Sequence, residues 1–258
     1  MVLSFTEFQE RCIGLLESSS TNCRGRHSIR GGLNHLRRAH ALRNIDDEMA
    51  LFRLITAEEE AVAGLFYALK FRQYKNAKQL NPRDHIHKSA ATPFLQILAF
   101  FFDEWWDKKN TPWMRIMDEG KGAELRTAFE TTISGEKKIA HPIPPLNFSV
   151  SSNGEYPSFE KQMDKLLGEQ SQNDMLEFVQ DRANLRNKIL YANSDGFPSV
   201  SNIGDGVFER CQRVVMAMVY AYLFIQPYPE KQLFVQESLN AFLVMLGRVE
   251  RDVLAIKS

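Results

Sequence analysis

What this chain lacks narrows the field before any motif is sought. Cysteine is scarce. Cys12, Cys23 and Cys211 are an odd number and lie far apart, which offers neither a disulfide framework nor the paired thiols of a zinc site. An excess of one charge is missing too. Lys and Arg total 32, and Asp and Glu total 32, so the chain is not a polyelectrolyte and any nucleic-acid site has to be a local patch. Long apolar runs are absent. The most apolar stretch, residues 93–102, is too short to span a bilayer. Glu7, Glu10 and Arg11 precede any long apolar run, which is unlike a secretory signal. A cytoplasmic protein with no membrane contact is therefore expected. No P-loop, dinucleotide glycine motif, Gly-x-Ser-x-Gly elbow or His-Glu-x-x-His is found, and there are no internal repeats. No cofactor and no metal are expected.

What is present is an ordinary globular balance, 44% hydrophobic and 25% charged over 258 residues, enough to bury a sizeable core. Helical periodicity dominates. Ser4 with Glu7 three residues later reads as a capping box opening a helix over 5–17. Residues 18–32, rich in Ser, Arg and Gly, read as a loop. Helix is expected over 33–74 with a bend near Asn44, then over 84–106 after the Asn81-Pro82 break, and over 114–127. Residues 131–157 carry turn and extended signals and read as a long connection with at most a small hairpin. Helices over 159–167, 172–191, 208–224 and 230–256 complete the chain. In the last of these, Val235, Leu239, Phe242, Leu246, Val249 and Val253 alternate at spacings of four and three, the stripe of an amphipathic helix. The expectation is all-α: one multi-helix bundle over 1–258, divisible into 1–130 and 158–258.

Two of these helices carry charge where apolar residues belong. Along Ile45, Met49, Phe52, Ile55, Glu59, Val62, Phe66 and Leu69 only Glu59 is not apolar. In the helix before Tyr191, Arg186 interrupts the row Leu176, Val179, Ala183, Leu190, and Arg182 interrupts Met175, Phe178, Leu185, Ile189. A carboxylate on a packed face is costly unless paired, and a guanidinium tolerates burial when a carboxylate receives it bidentately. Pairing Glu59 with Arg186 or Arg182 settles both anomalies. Three readings stay open: a structural ion pair, a Glu59 that reaches water at an edge, or a polar cleft of Glu59, Arg182, Arg186, Asn187 and Tyr191 that receives phosphate or ribose. Glu58 and Glu60 point elsewhere on the wheel and are expected to be solvated.

Ile55-Thr-Ala-Glu-Glu-Glu-Ala resembles the acidic signature of the first long helix in AbiV-type abortive infection proteins, members of the HEPN superfamily. Arg186-Asn-Lys-Ile-Leu-Tyr-Ala-Asn-Ser-Asp-Gly-Phe-Pro resembles that family's Arg-x-x-x-Leu-Tyr and following turn. The resemblance implies a helical homodimer in antiviral defence, as in toxin–antitoxin systems, that binds RNA or a nucleotide. The family's ribonucleases cleave without metal through Arg-Asn-x4-His. Here Arg186-Asn187 is followed by Ala192 where that histidine belongs, which implies weakened or absent catalysis, because the general acid–base is missing. Arg30 and His35 also satisfy Arg-x4-His.

A second feature is independent of the resemblance. Between Ser18 and Ile45 there is no acidic residue, while Arg24, Arg26, Arg30, Arg37, Arg38 and Arg43 stand there with His27, His35 and His40. Arg30, His35, Arg37, Arg38 and Arg43 are candidate ligands for RNA phosphate. The alternative is a basic helix start balanced by Asp46, Asp47 and Glu48. His85-Ile-His87 is a weak metal candidate, because residues two apart on a helix diverge; a surface or capping role is expected. A non-enzymatic helical module that binds a protein partner is the alternative function.

Overall fold

The computed structural model describes residues 3–19, 23–105, 112–118, 122–148 and 202–256, together with Val179, Asp181, Arg182, Leu185, Ile189 and Val200. Among the described residues the balance is 64% helix to 11% strand. Helix predominates, but a three-stranded antiparallel sheet overturns the all-α expectation. The chain divides into two compact units. One is Met1–Ala68, Asn81–Ala91 and Glu177–Tyr222; the other is Leu69–Leu80, Thr92–Leu176 and Leu223–Ser258.

The first unit begins with α1 (Glu7–Ser18). Its capping box is built from Thr6 and Gln9, two residues beyond the expected pair. Helix α2 (Arg24–Leu42) starts well before residue 33, so most of the expected loop is helical. The glycines that suggested a loop serve packing. A Cβ on Gly25 would lie 2.8 Å from the Gly64 carbonyl, and one on Gly32 would lie 2.7 Å from that of Ala57. Helices α2 and α3 (Asp47–Phe71) therefore meet backbone to backbone. Between them Asn44, at φ 62°, makes the expected bend, and Asp46 accepts from the Met49 N–H to cap α3. Asp84 caps the short α4 (His85–Ser89) through the N–H groups of Ile86 and His87. Helix α6 (Asp205–Ile225) adds Phe208, Val215 and Tyr222 to this core. Residues 179, 181, 182, 185 and 189 are helical, with Val179 and Ile189 buried.

The second unit holds α5 (Ala91–Trp105), the sheet, and α7 (Leu233–Ile256). Where helix was expected over 114–127, the chain forms β1 (Trp113–Asp118) and the first half of β2 (Ala123–Ile133). Trp113 opposes Ala128, and Asp118 opposes Ala123. The second half of β2 pairs with β3 (Glu136–Ala140) from Phe129–Ala140 to Ile133–Glu136. Ser134 and Gly135 join them, at φ 55° and 81°, the two positive values that a two-residue hairpin turn needs to match strand twist. The expected long connection is thus strand as far as Ala140. In α7 the stripe Val235, Leu239, Phe242, Leu246 is buried as expected; Val249 and Val253 fall outside the described side chains. Phe234 gathers Phe101, Phe102 and Phe148, and Phe242 meets Phe94. Gln232, fully buried, is satisfied: it accepts from the Leu146 N–H at 2.7 Å and donates to the Phe224 carbonyl at 2.7 Å.

Candidate functional site

The acidic run of α3 lies inside the first unit. From Leu54 to Glu59 every residue is buried, and Glu58 and Glu59 are each only 5% exposed. Two consecutive residues are about 100° apart on a helix, so each carboxylate needs its own partner. Glu59 accepts from Nδ1 of His85 at 2.6 Å and from Nζ of Lys88 at 3.2 Å. Both donors come from α4, one turn apart, so capping of α4 by Asp84 positions them. Glu58, buried, receives the largely buried Arg182 as an ion pair. Cys211 of α6 donates to the Leu54 carbonyl at 3.3 Å. Burial first, then the Glu58 carboxylate, push its thiol well above the ordinary cysteine range, so it stays protonated and inert.

The sequence placed Glu59 correctly as a buried charge and excluded Glu58 wrongly. The wheel puts Glu58 off the apolar stripe, but Ala57, Ala61, Ala63 and Gly64 are buried there as well, and over these turns of α3 only Glu60 stays partly open to solvent. That small-residue face was the signal for Glu58. His85 and Lys88 were missed as partners of Glu59, and His85 is more than a helix cap. Arg182 joins the cluster through Glu58. Arg186, Asn187 and Tyr191 lie outside the described residues. Because Glu58, Glu59 and Lys88 are buried and the Arg182 side chain is only 10% exposed, these four form a largely internal ion network; His85, with its side chain 37% exposed, connects it to solvent.

The basic segment is one amphipathic helix. Ile29, Gly32, Leu33, Leu36 and Ala39 of α2 are buried, while His27, Arg30, Asn34, Arg37 and Arg38 are exposed on the other side. Two of the five expected phosphate ligands are engaged within the protein. Arg43 pairs with Asp205 and lies over the Phe208 ring at 4.8 Å, and Nδ1 of His35 is 3.2 Å from Arg53. Arg30 and Arg37, with Glu17 of α1, His27, Gly31, Leu33 and Asn34, line a pocket of about 360 Å³. Among the described residues, no group of His, Cys, Asp and Glu is arranged to hold a metal ion, and no helix is long and apolar enough to cross a membrane.

No family model, curated protein or solved structure matches the chain. The functional reading rests on the residues themselves.

Proposed function

We propose that this protein binds RNA or a nucleotide through the solvent face of α2, in a phage-defence role of the HEPN and AbiV type, with catalysis weakened or absent. The observation that carries the reading is the separation of faces. Arg30, Arg37 and Arg38 stand exposed on a helix whose other side is locked against α3 by glycine contacts. A rigid row of guanidinium groups presented to solvent suits a phosphate backbone, since each neutralised phosphate releases counterions. No carboxylate within α2 competes for these arginines. The internal network of Glu58, Glu59, Lys88 and Arg182 serves this reading as scaffold, fixing α3 beneath α2.

The test is RNA binding across a salt series. Replacing Arg30, Arg37 and Arg38 together by Ala should weaken binding to every single-stranded sequence alike. It should also flatten the slope of log K against log salt by about 0.7 for each phosphate that is no longer neutralised. A folded triple variant with unchanged affinity and slope would remove the reading. If the native chain dimerises stably and binds no RNA at low salt, the helical protein-interaction module takes its place.

A further inference from the structure

We infer that the pocket between α1 and α2 takes a guanine nucleotide. This inference rests on the RNA or nucleotide reading above and specifies it. Four observations lead there. First, about 360 Å³ is far more than a phosphate fills and falls within the range of small-ligand sites. A whole nucleotide unit is the natural occupant. Second, the lining is cationic at one set of positions and anionic at a single one. Arg30 and Arg37 of α2 carry the positive charge, and Glu17 from the last turn of α1 is the one acidic side chain among the described lining residues. The arginines suit phosphate. A carboxylate repels phosphate and suits a donor-bearing edge. Third, no Phe, Tyr or Trp is found among the described lining residues; stacking on the His27 imidazole or a guanidinium plane suits every base alike, so one base is told from another by its edge.

The edge chemistry then selects the base. Guanine presents its ring N1–H and its exocyclic N2 amino group side by side, two parallel donors that match the two oxygens of one carboxylate. Adenine and cytosine present an amino group beside an unprotonated ring nitrogen, which repels the second oxygen. Uracil presents one N–H between two carbonyls. Asn34, about one helical turn from both Arg30 and Arg37, adds an amide able to donate to the guanine O6 or to a ribose oxygen.

The fourth observation is Gly31. Glycine within a helix costs about 1 kcal/mol relative to alanine, and Gly25 and Gly32 recover this through close packing. Gly31 has no such reason: a Cβ there would meet only Oε2 of Glu60, at 3.7 Å. Its missing side chain instead keeps the pocket wall open.

The experiment is calorimetric titration of the full chain with GMP, AMP, CMP, UMP and inorganic phosphate, beside a guanine-free oligouridine measured across salt. Tighter binding of GMP than AMP, by about tenfold or more, is expected, as for other two-pronged base contacts. Glu17→Gln should bring GMP to within about twofold of AMP and leave phosphate binding in place. Gly31→Leu, which adds bulk without altering charge and favours helix, should abolish GMP binding. Equal binding of all four nucleotides overturns the guanine assignment, and so does a GMP preference that survives Glu17→Gln. If oligouridine still binds with the arginine-dependent salt slope, the broader reading stands without this one. If neither nucleotides nor oligouridine bind, both fall.

Discussion

Glu59 offers the sharpest test of the internal network. Its side chain is 6% exposed, that of Lys88 is 8% exposed, and the two meet at 3.2 Å. Glu59→Ala removes the carboxylate and strands the ammonium in a largely buried site, while His85 loses its 2.6 Å acceptor. Breaking a buried pair from one side costs about 3–5 kcal/mol. Against a total stability of about 5–15 kcal/mol, that is a large share. Glu59→Gln keeps the shape and one acceptor oxygen and should cost about 1–3 kcal/mol. The double variant Glu59→Ala with Lys88→Met should recover part of the loss, because no charge is then left buried without its partner. Urea unfolding followed by circular dichroism measures all three, compared at equal denaturant slope so that midpoint shifts report stability. A loss below about 1 kcal/mol for Glu59→Ala would refute the reasoning. So would a double variant no more stable than the single one, since the pair would then not be coupled.

Two further outcomes follow from packing and burial. Gly32→Ala should destabilise by about 1–3 kcal/mol, because its Cβ would press on the Ala57 carbonyl 2.7 Å away. Gly14→Ala, with nothing within 4 Å, should stabilise α1 by up to about 1 kcal/mol; thermal melts of the two variants moving in the same direction would contradict the helix contact. His40 has both ring nitrogens buried without a partner and packs edge-on against Phe208 at 4.7 Å. Burial first, and then the Arg43 charge, hold its pKa below the usual 6.5. The unfolded chain therefore takes up a proton that the folded chain refuses. This contribution is neutral above about pH 6.5 and turns destabilising as the pH falls below it. His40→Phe should flatten the loss of stability between about pH 7 and pH 5, and an unchanged pH profile in a folded variant would sink the assignment.

The elements that were legible in the sequence are those with one buried and one solvated side. The stripe of α7 and the bend at Asn44 could be read because period and turn chemistry both act within a few residues. Strand β2 could not be read in this way. Its first residues, Ala123, Glu124, Leu125 and Arg126, favour helix by local propensity. Four consecutive residues from Leu125 to Ala128 are buried, so no alternation marks a strand. Its conformation is set by pairing on two sides with β1 and β3, which is long-range information. Residues 24–32 failed for a different reason. Glycine lowers helix propensity in isolation, and only the opposing Gly64 and Ala57 backbones show why it is needed there.

The charged cluster was half legible for a reason that also explains what it does. A single charge on an apolar stripe is visible as an exception, and Glu59 was found that way. A charge beside it is invisible if the neighbouring face is assumed wet. Adjacent carboxylates on α3 reach different walls of the same unit, Glu59 toward His85 and Lys88, Glu58 toward Arg182. A turn of α3 by about half a residue step, roughly 50°, would carry each carboxylate away from its own cation and leave buried charges unpaired on both sides. An apolar face tolerates small rotations, because dispersion and burial are not directional. Two ion pairs at right angles do not. The network therefore fixes the rotation of α3, and with it the placement of Ala57 and Gly64 against the glycines of α2. That placement in turn decides which side of α2 is left to present Arg30, Arg37 and Arg38 to solvent.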